Sequence, residues 1–243
     1  MREEVSKDTI VDFLPCGGKF DMKKELLQEA AERASKSECA IVVVGENALR
    51  YRRSQKKTAG ENCDYTTLQL PGNQKQLIQA IQATGTPVVV VLINARPLAV
   101  SWCAENVPAI LETWEPGLLG GKATAEVIFG KVNPSGRLPI SIPRSVGHLQ
   151  CVYNYTPQRL GRYGDSTAAP LFPFGHGLSY TEFKYSNLKC PKESKAGEPI
   201  TVTVSVTNAG NRDGREIVLL YTRDMLASVA MPVKELKAFQ PVD

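Results

Sequence analysis

Two short, continuous runs of β-branched and aliphatic residues constrain this chain more than anything else in it. They are Cys39 to Val44 (CAIVVV) and Val88 to Ile93 (VVVVLI). A strand with one wet face alternates polar and apolar side chains, so an unbroken apolar run signals a strand covered on both faces. Between the runs, Leu77, Ile78 and Ile81 recur at helical spacing after Pro71-Gly72, and Gly85-Thr86-Pro87 ends that helix. Asp21 is placed to cap an earlier helix from Met22 to about Ser35, with Leu26, Leu27, Ala30, Ala31 and Ala34 on one face.

Two more strands are expected at Leu98 to Ser101 and Ala109 to Glu112, and a third helix at about Lys122 to Phe129, closed by Gly130. This β-α-β rhythm predicts an α/β fold, a mostly parallel sheet flanked by helices. Ligands in such sheets bind beyond the carboxyl ends of the strands. The stretch Gly45 to Leu70 leaves the first of those ends without periodicity, and a loop that long in a compact domain is usually functional or disordered.

From Pro134 to Tyr185 the chain turns rich in proline, glycine and aromatic residues and reads as an irregular linker pinned by its rings. Beyond it, Ile200, Val202, Val204 and Val206 alternate with Thr201, Thr203, Ser205 and Thr207. Asn208 to Asn211 makes a turn, Glu216 to Tyr221 is a second strand and Val233 to Phe239 a third. Period-two strands with turn signals predict an antiparallel β-sandwich. An immunoglobulin-like sandwich takes about 100 residues and about seven strands. Residues 186–243 supply fewer, so the module is expected to be incomplete through truncation.

Composition excludes little. The formal net charge of +4 is spread along the chain. Its densest cluster, Arg50, Arg52, Arg53, Lys56 and Lys57 between Glu46 and Glu61, has no nucleic-acid-binding fingerprint beside it and reads as a solvated loop. No apolar run approaches the roughly 18 residues of a membrane span, and Met1 to Lys7 lacks the apolar core of a signal peptide. None of the six cysteines sits in a CxxC pair and there are two histidines, so a structural zinc site is not expected. The cysteines read as buried or incidental thiols. Gly45-Glu46-Asn47 holds one glycine, too few for the phosphate loop of a nucleotide binder.

Seven segments in order carry a resemblance. They are CAIVVVGEN (39–47), LQLPGNQKQLI (68–78), VVVVLINARPLAV (88–100) and the long stretch AILETWEPGLLGGKATAEVIFGKVNPSGRLPISIPRSVGHL (109–149). PLFPFGHGLSYTEFKYSNL (170–188), VTVSVTNAGNRDGREIVLLYTRD (202–224) and VKELKAFQ (233–240) follow. Together they resemble the C-terminal part of family 3 glycoside hydrolases of the β-glucosidase type. The resemblance implies an α/β sandwich domain at 1–145, a linker at 146–185 and an incomplete fibronectin type III-like domain at 186–243.

It also implies a retaining β-glycosidase acting on β-glucosides or β-xylosides through two carboxyl groups. The nucleophilic Asp belongs to an N-terminal barrel for which this chain has no room. The acid/base Glu of the family precedes a D-R-x-x-L-x-LP run, here ENCDYTTLQLP from Glu61 to Pro71. Glu61 is therefore the expected acid/base, with Glu46 the alternative. Tyr65 stands where the family usually has Arg, and the basic run 50–57 would lower a nearby carboxyl's pKa unless it faces solvent. Glu46 is equally consistent with capping a turn or bonding loop amides. Asp64 reads as a turn cap or ion-pair member, Trp102 and Trp114 as core or interface residues at strand ends, and His148 and His176 as linker packing.

The resemblance implies no metal or organic cofactor; implied partners are an oligosaccharide or glycoside and the absent barrel, with no nucleic acid and no membrane. Localisation stays open, secretion or the periplasm being compatible. The rival reading is a non-catalytic carbohydrate-binding or interaction module that kept this fold.

Overall fold

The computed structural model describes residues 1–16, 22–46, 64–157 and 163–243. Among the described residues, the N-terminal part is built on three parallel strands: β1 (Ala40–Gly45), β2 (Val88–Ile93) and β3 (Ala109–Glu112), in the order β1-β2-β3. Ala40 pairs with Val88 and Gly45 with Ile93, so β1 and β2 end together; Leu92 pairs with Glu112. β2 is central, and Val88, Val90, Val91 and Leu92 are all buried. β1 is covered less fully than its apolar run predicts. Val42 and Val44 are buried, whereas Val43 on the opposite face is 51% exposed.

The helices are α1 (Lys24–Ala34), α2 (Gln74–Gln82), α3 (Ser101–Asn106) and α4 (Gly120–Ile128). α2 lies against β1 and β2, and α1 packs on α2. The expected stripe of Leu77, Ile78 and Ile81 is buried in the core, together with Ala30 and Ala34 of α1. Asn73, just before α2, fixes the approach to α1: its Oδ1 accepts from Met22 N at 2.8 Å and its Nδ2 donates to Met22 O at 2.8 Å. Thr86 closes the other end by donating from Oγ1 to Ala34 O at 2.8 Å. The expected cap, Asp21, lies outside the described residues.

The strand expected at Leu98 to Ser101 does not form. Leu98, Ala99 and Val100 are buried as a strand's residues would be, but α3 begins at Ser101. Pro97 gives the stretch no amide hydrogen at its start. Val100 N instead bonds Leu98 O at 3.0 Å, and Ala99 N bonds Leu68 O at 2.7 Å. Trp102 consequently sits in α3 rather than at a strand end, half-buried against the core.

Apart from a 3-10 turn at Val146–His148, residues 133–157 and 163–182 are irregular but double back on themselves. Leu138 N bonds His176 O and Gly175 N bonds Leu138 O, both at 2.8 Å, and Ile142 bridges to Phe172. Stacked rings pin the turn, Tyr153 on Phe174 at 4.3 Å and Phe172 on His176 at 5.2 Å. His148 is buried, its Nδ1 accepting from Arg144 N at 3.2 Å.

The C-terminal part holds two antiparallel pairs, β4 (Phe183–Lys189) with β5 (Thr203–Asn208) and β6 (Glu216–Thr222) with β7 (Glu235–Val242). In β5 the valines are the less exposed side chains, as the alternation predicts, but Ile200 lies outside the strand and is exposed. Among the described residues, no helix is long and apolar enough to cross a membrane.

Candidate functional site

At the carboxyl edge of the parallel sheet, side chains from all three strand ends form one polar cluster. It begins with Gly45, the last residue of β1. Its φ is +141°, and a Cβ built there would lie 1.9 Å from Ile93 O. Only glycine fits this close approach of β1 to β2. Gln74 of α2 secures the same residue, accepting from Gly45 N at 2.7 Å and donating to Gly45 O at 2.9 Å.

The next residue, Glu46, keeps the sheet's register by donating its N–H to Ile93 O at 2.8 Å. Its side chain is 1% exposed and is paired with Arg96. Oε1 accepts from Arg96 Nε at 3.0 Å and Nη2 at 2.5 Å. Burial holds the Glu46 carboxyl above its ordinary value, against the smaller opposing pull of the Arg96 guanidinium. Oε2 is buried and has no hydrogen-bond partner among the described residues.

Arg96 reaches further. Its Nη1 donates to Thr67 O at 2.8 Å, and its guanidinium lies over the Tyr65 ring, 5.6 Å from the centroid. Asn94, fully buried just past the end of β2, donates from Nδ2 to Arg96 O at 2.9 Å and to Glu112 Oε2 at 3.3 Å. Glu112 Oε1 accepts from Trp114 N at 3.0 Å, and Trp114 itself has a φ of +52°. Burial raises the Glu112 carboxyl, with the bonds from Trp114 and Asn94 opposing.

Of the residues singled out in the sequence, Glu46, Tyr65 and Trp114 belong to this cluster and Glu61 lies outside the described residues. Asp64 is exposed where the chain re-enters the described fold. Sequence reasoning missed Arg96, Asn94 and Glu112. The signal available was position: Asn94 and Arg96 immediately follow the VVVVLI run, where the ends of a parallel sheet place ligand-facing groups. A separate pocket of about 190 Å³, lined in part by Leu70, Lys75, Trp102 and Cys103, has no carboxyl group among the described residues that line it.

The model of the glycosyl hydrolase family 3 C-terminal domain matches residues 1–180. The chain belongs to glycosyl hydrolase family 3. A β-xylosidase of Formosa agariphila is 46% identical over 247 aligned positions, which take in all of this chain and 33% of that protein. The periplasmic β-glucosidase of Salmonella typhimurium is 40% identical, over 96% of this chain and 32% of its own length. Among solved structures, the β-glucosidase of Listeria innocua in complex with glucose superposes with a TM-score of 0.83 at 34% identity, over 92% of this chain and 32% of that one. The chain thus spans about a third of the relatives it matches.

Proposed function

We propose that this chain is the C-terminal portion of a retaining β-glycosidase that hydrolyses terminal β-glucosides or β-xylosides, and that Glu61 is its acid/base. The observation that carries the reading is the joint at the carboxyl edge of the sheet. Arg96 holds both Glu46, at the carboxyl end of β1, and Thr67, and in sequence Glu61 lies between these two residues. That edge is where an α/β sheet presents groups to a ligand. The relatives' names, β-xylosidase and β-glucosidase, supply the substrate class.

Retention requires a nucleophile about 5–5.5 Å from the acid, so that the sugar is captured covalently before water releases it. Glu61 would protonate the departing oxygen and then take a proton from that water. The nucleophilic Asp would come from a barrel in the part of the relatives that this chain does not span. Glu46, bound to Arg96 through Oε1, is better suited to holding the edge together than to exchanging protons with a substrate. Residues 1–145 would form the α/β sandwich domain and 146–185 the linker. The antiparallel pairs after it would belong to a fibronectin type III-like module. The Salmonella relative is named periplasmic, which favours an exported location.

The test is leaving-group dependence in the full-length enzyme. A poor leaving group needs a proton and dinitrophenolate hardly does. Glu61→Ala should slow cleavage of cellobiose-like substrates by about 100-fold or more, within the usual range for general acid–base catalysis. Release of dinitrophenol should be spared, and azide should rescue the second step. If neither Glu61→Ala nor Glu46→Ala gives this pattern, or no barrel with an Asp nucleophile precedes the chain, the non-catalytic carbohydrate-binding reading takes its place.

A further inference from the structure

α4 begins a few residues after the Trp114 turn, and its other end is where the C-terminal strands meet it. A helix ends on carbonyls that its own amides no longer reach. Around the end of α4, side chains from further along the chain supply donors. Tyr180 Oη donates to Val127 O at 2.9 Å. Arg212 Nη2 donates to Gly130 O, and its guanidinium lies 5.3 Å from the centroid of the Tyr180 ring. A cation is also the charge that the dipole of a helix favours at this end.

Two asparagines complete the seam. Asn133 Oδ1 accepts from Ser179 Oγ at 2.9 Å and from Tyr180 N at 2.8 Å, while its Nδ2 donates to Asp213 O at 2.9 Å. Asn208 Oδ1 accepts from Thr181 Oγ1 at 2.7 Å and from Gly210 N at 3.1 Å, while its Nδ2 donates to Arg212 O at 2.7 Å. Ala209 N bonds Glu182 O at 2.8 Å. The approach is close: a Cβ on Gly214 would lie 2.6 Å from Asn133 Nδ2.

A plain connection between β5 and β6 would explain the Asn208 bonds and leave Arg212, Asn133 and Tyr180 without a reason. A tethered module would need slack before β4. Instead Ser179, Tyr180, Thr181 and Glu182 are each bonded to Asn133 or to residues 208–209, and β4 starts at the next residue. We infer that segment 208–214 is a strap, which caps the end of α4 through Arg212 and holds β4 to β7 as a fixed extension of the α/β part. The C-terminal strands therefore do not swing on a linker as a mobile carbohydrate-binding module would.

Amide hydrogen exchange in the chain as it stands tests this. In the wild type, the Tyr180 and Ala209 amides should exchange at least about 100-fold more slowly than unstructured ones, as locally closed structure does. Exchange at the unstructured rate would show a free tether and overturn the inference. Arg212→Ala should speed exchange by about 10-fold both at Phe129 to Val132 and at Tyr180, and leave Val90 in β2 unchanged. Gly214→Ala keeps the arginine and wedges a methyl against Asn133, so it should open the same amides. Arg215→Ala removes an exposed pair with Asp243 and should open none of them. If Arg212→Ala speeds exchange within 208–214 alone, Arg212 does not cap α4. If Val90 accelerates as much as Phe129 to Val132, the loss is global and the strap is refuted.

Discussion

Arg137 and Glu216, 79 residues apart in sequence, meet at 2.5 Å through Nη2 and Oε2, each side chain little exposed. The other Glu216 oxygen accepts from Tyr185 Oη at 2.9 Å. Arg137 belongs to the irregular stretch after α4, Glu216 opens β6 and Tyr185 lies in β4, so this triad joins both antiparallel pairs to the rest of the fold. Removing one member of a buried pair strands the other charge. Arg137→Ala should therefore cost about 3 kcal/mol in urea unfolding. Tyr185→Phe, which loses one hydrogen bond, should cost about 1 kcal/mol, with the phenolic pKa in the native protein pushed up to about 12 by burial and by Glu216. Replacing Arg137 and Glu216 together by Met and Leu should recover part of the loss; a double variant as unstable as Arg137→Ala would show that the charge left behind was not the cause.

Gly45→Ala should be among the most damaging single-methyl changes in the chain. The positive φ alone costs about 1–3 kcal/mol for such a residue, and the added carbon would overlap Ile93 O. Gly85→Ala is the control, because its φ of +82° brings the same kind of strain with open space around the new carbon. Thermal unfolding of the two variants should rank Gly45→Ala well below Gly85→Ala.

The Glu112 carboxyl has a pH signature of definite sign. Its folded pKa is raised from 4.5, chiefly by burial, so the native state holds this proton more tightly than the unfolded chain does. Its contribution to stability is fully present below about pH 4.5 and declines as pH rises through the raised value, then levels off. Glu112→Gln removes that decline. The Tm of the variant relative to wild type should climb between pH 4 and 7, and a falling difference would mean that the carboxyl is depressed in the fold.

Thiol reactivity should divide by burial. Cys103 is buried in the core and its thiol is pushed up to about 11, whereas Cys39 and Cys190 are exposed. The thiolate is the reactive form, so iodoacetamide at pH 8 should label Cys39 and Cys190 and spare Cys103 until the protein unfolds. Peptide mapping of native Cys103 labelled as fast as Cys190 would contradict the packing around α3.

By itself the sequence determined the β-α-β order of the first part, the strands β1, β2 and β3, the helices α1, α2 and α4, and the family. These depend on short-range periodicity and on motif order, which are written locally. Tertiary structure decided the rest. Leu98 to Val100 looks like a strand because it is apolar, yet its backbone bonds go to Leu68 and into the turn before α3, choices set by a segment 31 residues away. β4 escapes the period-two test because its register shifts between Ser186 and Lys189, where Asn187 takes a φ of +54° and breaks the alternation. The polar edge of the sheet was half legible. Glu46 stands out beside Gly45, but nothing near it in sequence names Arg96, its partner 50 residues on, or the buried Asn94 that steadies Arg96. A buried carboxylate finds its cation only when folding sets two strand ends side by side, because the drive to pair them arises from leaving water, and each is still solvated in the unfolded chain.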